Sequence, residues 1–388
     1  MNYFEFYNPV KICAGDDALK HLNYELKSLN IKHPLFLSDD GLKKIGMVDK
    51  VIKSASLTNY VLYTSIPTDS GVSVVNNILQ VLKQNRCDGI IALGGGSVID
   101  TAKGVKMSYE RTDNLKEIMG LEVIVKEKEL PFIALPTTSG TGSEVTNVAV
   151  IRDETSNVKM EFITPYLMPN VAILDPILTI SLPPKISAST GMDALCHAIE
   201  GFSCLQKNPL SDAYAITAIK LIFENLLLVC NEPSNKQARL NMAIASNLAG
   251  LCFGNSMVGG VHAIGHALGG VCHIAHGDAM TILLPHVMEF NKPILYKTYA
   301  SLARTIAPNE YYNLSEEEQC NLVIAKIKEL SKELHELTGL PISLTQTGKY
   351  DKLKIDEIAL NALNDGAMIV NPTSITLQDV KDILNKAE

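Results

Sequence analysis

Asp193 and His197 stand four residues apart in the run Gly191-Met192-Asp193-Ala194-Leu195-Cys196-His197-Ala198-Ile199-Glu200. On a helix that spacing sets both side chains on one face, one turn apart. Further along, Val261-His262-Ala263-Ile264-Gly265-His266 repeats the spacing with two histidines, and His273 and His276 follow. Five of the nine histidines thus crowd into two short and otherwise apolar stretches. Burying that many imidazoles requires partners. A set of core histidines satisfied by ordinary hydrogen bonds is the bland reading, and the clustering argues against it. Imidazole nitrogens with one carboxylate suit a borderline divalent ion, Fe(II) or Zn(II), with an open position for a substrate oxygen. Cys196 does not share the Asp193/His197 face. The spacing leaves open which of His262, His266, His273 and His276 coordinate.

A second group of residues suits a phosphate. Gly94-Gly95-Gly96-Ser97 follows a strand-like run ending at Leu93 and opens onto Val98-Ile99-Asp100-Thr101-Ala102-Lys103, which reads as a helix. Glycines let the backbone turn and approach a ligand, and the free amides at a helix start attract a pyrophosphate. Thr137-Thr138-Ser139-Gly140-Thr141-Gly142-Ser143-Glu144 follows another strand, with more hydroxyls and glycines than a plain turn requires. Two such loops at strand carboxyl ends imply one shared crevice. Asp39 ends an earlier strand, where a carboxylate can bond an adenosine ribose and repel the extra phosphate of NADP, which favours NAD. This acid precedes the glycine loop, unlike that of an ordinary Rossmann fingerprint, so a solvated helix cap at Asp39 or Asp40 is the alternative.

Two kinds of hydrophobic period must carry these groups. Leu35-Phe36-Leu37, Val61-Leu62-Tyr63, Ile90-Ile91-Ala92-Leu93 and Phe132-Ile133-Ala134-Leu135 read as strands buried on both faces. Val72, Val75, Ile78, Leu79 and Leu82 recur at helical spacing between the second and third, which makes a βαβ unit. From Pro183-Pro184 onward the pattern turns helical, at about 190 to 205, 210 to 230, 236 to 252, 258 to 271 and 318 to 337. Thr376 with Asp379 forms a capping-box pair, and Ile375 with Val380 has staple spacing. The expected organisation is an α/β dinucleotide-binding domain over 1–182 and an all-helical metal-binding domain over 183–388.

With 388 residues, 46% hydrophobic and 20% charged, two packed cores are the expectation. A net charge of −8 with scattered Lys and Arg excludes a basic face for nucleic acid. Met1-Asn2-Tyr3-Phe4-Glu5 lacks a basic segment followed by an apolar one, and no uninterrupted apolar run suggests a membrane span, so a cytoplasmic protein is expected. The eight cysteines form no CxxC pair and read as reduced, mostly buried thiols.

Taken together, these motifs resemble the iron-containing (group III) alcohol dehydrogenases, the family that includes lactaldehyde reductases and 1,3-propanediol dehydrogenases. The resemblance runs through Gly94 to Ser97 with Asp100 and Lys103, Thr137 to Thr146, Asp193 with His197-Ala198-Ile199-Glu200, Val261 to Gly270, His276-Gly277 and Leu284-Pro285-His286. It implies a dehydroquinate-synthase-like pair of domains with catalysis in the cleft between them, and a homodimer or larger homo-oligomer. It further implies metal ligands Asp193, His197, His262 and His276, with His266 as the catalytic group near substrate and nicotinamide. Implied NAD contacts are Asp39, Gly94, Gly95, Gly96, Ser97, Thr137, Thr138, Lys159 and Leu178, and the same two loops contribute Asp100, Thr141 and Ser143. The implied reaction interconverts a small alcohol or diol and its aldehyde, with the metal polarising the substrate oxygen for hydride transfer. Departures at Gly254-Asn255 and Ala267 fall near the implied substrate pocket, and Thr373 stands where a basic residue is usual.

Three other readings compete. A glycerol-dehydrogenase-like zinc enzyme would share the plan. A dehydroquinate-synthase-type lyase must hold a phosphorylated anion, and the metal motifs carry no clustered Arg or Lys. A non-catalytic nucleotide-binding or metal-sensing protein would retain the motifs for binding only, and the presence of all four implied ligands, Asp193, His197, His262 and His276, makes an intact catalytic site the more economical reading.

Overall fold

The computed structural model describes residues 3–109, 115–118, 129–155 and 158–388. Two compact units emerge, one from Asn8 to Ser181, the other from Leu182 to Glu388 together with the described residues ahead of Asn8.

The first unit is built on strands β1 (Lys11–Ala14), β2 (Pro34–Leu37), β3 (Val61–Tyr63), β4 (Gly89–Gly94), β5 (Phe132–Pro136) and β8 (Val171–Leu174), in the order β1-β8-β5-β4-β2-β3. Every pairing among them is parallel. Side chains alternate across a strand, so one sheet needs two cores. Leu35, Leu37, Ile90, Ala92, Phe132 and Ala134 face helices Val72–Gln84 and Gly96–Ser108. Phe36, Ile91, Leu93, Ile133 and Leu135 face the other way, onto Leu22, Leu26, Val48 and Val51. Helices on both faces are why the central strands read as continuous apolar runs. β3 departs from that expectation, because it lies at the sheet edge with Leu62 36% exposed. β6 (Val148–Asp153) and β7 (Val158–Ile163) form a separate antiparallel pair.

The second unit is helical. Helices Pro184–Ser203, Pro209–Asn231, Lys236–Phe253, Gly260–Cys272 and Glu316–Thr338 answer the five periodic segments. Capping boxes at Asn208/Ser211, Ser315/Glu318 and Thr376/Asp379 fix three helix starts. Helix His276–Ala300 is an addition, hidden in sequence by Pro285 and Pro293 inside it. Helix Pro209–Asn231 is long and apolar enough to cross a bilayer by length and composition alone, but Asp212, Lys220 and Glu224 interrupt its apolar run and it packs as a core helix, burying Ala218, Ile219, Ile222 and Leu226. All eight cysteines are free thiols.

Lys103 pins the helix behind the glycine triplet. Its ammonium is fully buried and donates to Thr146 Oγ1 at 3.0 Å and Val148 O at 2.6 Å, with Asp100 Oδ1 3.9 Å away. Burial lowers its pKa to about 8 against the opposing pull of Asp100 and Glu144, so the ion stays charged at neutral pH. Removing one partner of such a buried pair strands the other charge. Lys103→Met is therefore expected to destabilise the α/β unit by about 3 kcal/mol, measured as a lower urea midpoint. An unchanged midpoint contradicts the pin.

Candidate active site

Helix Pro184–Ser203 presents Asp193 and His197 inward, 2% and 5% exposed. Helix Gly260–Cys272 presents His262, and His276 is the first residue of the following helix. Asp193 Oδ1 lies 3.2 Å from His276 Nε2, 3.7 Å from His197 Nδ1 and 3.8 Å from His262 Nε2. The ligand atoms of Asp193, His262 and His276 all fall within 4.8 Å of one another. His197 stacks on Phe253, with centroids 4.2 Å apart, and sits 4.4 Å from the His262 ring.

Asp193 Oδ1, His197 Nδ1 and His262 Nε2 are buried with no hydrogen-bond partner. Each such atom costs about 1–3 kcal/mol if nothing engages it. Asp193 Oδ1 and His262 Nε2 belong with His276 to the compact group, while His197 lies outside it and approaches Asp193 Oδ1 at 3.7 Å. A carboxylate oxygen with imidazole nitrogens is a donor set that fits Fe(II) or Zn(II). The alternatives among the histidines now separate. His273 is exposed, ends its helix at φ 56°, and its carbonyl accepts from Lys349 Nζ at 2.8 Å. His266 stacks on the His276 ring at 5.4 Å but directs Nδ1 to Asp365 Oδ2 at 2.9 Å.

Two carboxylates that the sequence reading gave no role stand behind these rings. Glu200 Oε2 lies 2.6 Å from His262 Nδ1. Asp365 holds His266 while its Oδ1 accepts from the Ala367 N–H at 2.9 Å. Glu200 was findable, since it lies seven residues past Asp193 on the same helical face. Asp365 carries no sequence signal beyond a turn.

In the α/β unit the two polar loops meet. The Thr137 N–H donates to Gly94 O at 3.0 Å. A Cβ on Gly95 would lie 3.1 Å from Thr138 Cγ2, and one on Gly96 would lie 2.9 Å from Thr141 Cγ2, so the second loop lies directly on the glycines. Asp100 and Ser143 are spent on each other, with Ser143 Oγ donating to Asp100 Oδ1 at 2.5 Å and the Val150 N–H to Oδ2 at 3.0 Å. Their visible work is bracing the loops. Ser97 Oγ accepts from the Asp69 N–H at 3.3 Å, and Asp69 pairs with Lys159 at 3.0 Å. Asp39 caps the helix after β2, its Oδ1 accepting from the Leu42 N–H at 2.8 Å. Its neighbour Ser38 donates to Leu93 O at 2.9 Å, which ties Asp39 to the strand that ends in the glycines. Leu178 is fully buried beyond β8. Asp39, the two loops and Leu178 thus lie beyond the carboxyl ends of β2, β4, β5 and β8, where ligands of parallel sheets bind.

A parallel-sheet unit of this kind, with a helical unit that gathers a carboxylate and imidazoles around one point, defines a metal-dependent enzyme class. A model described as iron-containing alcohol dehydrogenase matches residues 9–176, and one for the C-terminal part of the Fe-containing alcohol dehydrogenase family matches residues 187–388. Long-chain-alcohol dehydrogenase 1 of Geobacillus thermodenitrificans is 36% identical over 360 residues, 92% of this chain and 88% of its own. The NAD-dependent methanol dehydrogenase of Bacillus methanolicus is 33% identical over 385 residues, 98% of this chain and 99% of its own. A solved 1,3-propanediol oxidoreductase superposes with a TM-score of 0.95 at 33% identity, covering 100% of both chains. The chain belongs to the iron-containing alcohol dehydrogenase family.

The metal cluster has a proton ledger. Burial pulls His262 down, but Asp193 and Glu200 outweigh it and raise its pKa to about 9. Burial drives His197 down to about 3, so that ring is neutral throughout the working range. A metal takes only a neutral ring, and at pH 7 the metal-free His262 is protonated. Because its folded value exceeds the ordinary 6.5, the stabilisation from this pair is complete below pH 6.5 and lost as pH rises through about 9. Metal uptake is thus expected to release about one proton and to tighten by up to about tenfold per pH unit toward pH 9. Calorimetry in buffers of different ionisation enthalpy measures both, and a pH-independent affinity contradicts the assignment.

Proposed function

We propose that this chain interconverts a small primary alcohol or diol and its aldehyde with NAD(H), using Fe(II) held by Asp193, His197, His262 and His276. The observation that carries this reading is the convergence of ligand atoms of Asp193, His262 and His276 within 4.8 Å of one another, with Asp193 Oδ1 and His262 Nε2 buried and without a hydrogen-bond partner. NAD is favoured over NADP by the Asp39 carboxylate, which would repel a 2′-phosphate. Relatives named NAD-dependent methanol dehydrogenase and 1,3-propanediol dehydrogenase support the cofactor and the substrate class. A cytoplasmic homodimer or larger homo-oligomer belongs to the same reading and rests on the family resemblance.

When bound, the metal would supply Lewis acidity and the nicotinamide would supply hydride-transfer chemistry. The chain's own residues would do the rest. Asp193, His197, His262 and His276 would hold the ion and bring one negative charge to it. Phe253 covers the His197 ring and keeps water from that side. His266, with Nδ1 committed to Asp365, would exchange a proton at Nε2. The amides of Gly95 to Ser97, at the start of a 13-residue helix, would meet the pyrophosphate, with Thr137, Thr138, Thr141 and Lys159 around it.

A spectrophotometric assay across short alcohols, diols and aldehydes, with NAD and NADP and with Fe(II) and Zn(II), tests the proposal. NADH formation with iron is expected, and His262→Ala is expected to lose on the order of a thousandfold in turnover while still binding NADH. A His262→Ala protein with wild-type turnover, or a metal-loaded wild type inactive on every compound, contradicts it.

A further inference from the structure

We propose that Glu200 is the positioning residue of the metal centre: its carboxylate holds the His262 ring in the tautomer and orientation that aim Nε2 at the ion. Glu200 sits on the helix that carries Asp193 and His197, so one helix supplies two ligands and also the group that orients a third. Its side chain is 7% exposed, and its side-chain hydrogen bonds among the described residues run to the first turn of helix Gly260–Cys272. Oε1 accepts from the Val261 N–H at 2.6 Å, and Oε2 stands 3.4 Å from the His262 N–H and 2.6 Å from His262 Nδ1.

The tautomer follows from donor and acceptor roles. A carboxylate can only accept, so the hydrogen bond requires a proton on Nδ1, and a neutral ring then keeps its lone pair on Nε2. That nitrogen is the one buried without a hydrogen-bond partner, 3.8 Å from Asp193 Oδ1. A carboxylate behind a ligating histidine also raises the donor strength of the opposite nitrogen. The local sequence accommodates the contact: a Cβ on Gly259 would lie 3.2 Å from Glu200 Oε1, closer than side-chain carbons ordinarily come. Any larger residue there presses on the carboxylate.

The competing role is a plain helix cap, and the structure contains a control for it. Asn371 Oδ1 accepts from the Gly260 N–H at 3.1 Å, so it caps the same helix, and its side chain also hydrogen-bonds Asn291 and the Thr373 carbonyl. If Glu200 were only a cap, its loss would resemble the loss of Asn371.

The inference rests on the metal reading above, and Zn(II) serves as the probe for both. Metal-free wild type, Glu200→Gln and Asn371→Ala are titrated with Zn(II) against a chromophoric chelator, and their thermal unfolding is followed without metal. Glu200→Gln is expected to bind Zn(II) about 10- to 100-fold more weakly than wild type, while Asn371→Ala lowers the unfolding temperature and keeps its affinity. Equal affinity in wild type and Glu200→Gln, or equal losses in the two variants, overturns the role given to Glu200 and leaves the metal site standing. A wild type that takes up no Zn(II) overturns both. Should Glu200→Gln not fold, the tautomer is read on wild type by nitrogen–proton NMR of the Zn(II)-loaded protein. A His262 proton on Nδ1 is expected, and one on Nε2 overturns the proposal.

Discussion

Ligand atoms that crowd a small buried space without hydrogen-bond partners are the constraint around which the helical unit is arranged. Asp193 Oδ1, His197 Nδ1 and His262 Nε2 stand in that position. Folding alone would not retain so costly an arrangement, because each unengaged atom forfeits about 1–3 kcal/mol. A divalent cation would resolve the cost at once, and it would account for a carboxylate buried among imidazoles with no Lys or Arg paired to it among the described residues.

The supports of the site follow from that requirement. Rings that must aim one nitrogen inward need something to hold the other, and Glu200 and Asp365 stand behind His262 and His266 in that role. The α/β unit solves a parallel problem with different means. Its two glycine-rich loops gain their fixed spacing from Asp100 and Lys103, two charges on one helix that grip Ser143 and Thr146 on the opposite loop. In both units, charged side chains brace the groups that the chemistry needs.

Sequence alone revealed what local spacing encodes. The i, i+4 pairs Asp193/His197 and His262/His266 were visible because a helix turns every 3.6 residues, and the buried strands because a sheet covered on both faces is apolar throughout. Helix His276–Ala300 escaped because its two internal prolines break the expected pattern, although His276 itself was among the candidates. β1 and the exposed side of β3 were obscure because edge strands carry half a hydrophobic signal. Asp39 had two readings at the outset, and its bond to the Leu42 N–H makes the helix cap real while one carboxylate oxygen does the capping. Asp365 could not have been found, since it meets His266 across 99 residues of chain with no shared motif.

The central claim is that one divalent ion is held by one carboxylate and three imidazoles of the helical unit. Anomalous diffraction at the iron edge, from crystals of the Fe(II)-loaded protein, tests it most directly. A single peak per chain is expected, bounded by Asp193, His197, His262 and His276. Iron bound elsewhere, or those four side chains turned away from the peak, would contradict it.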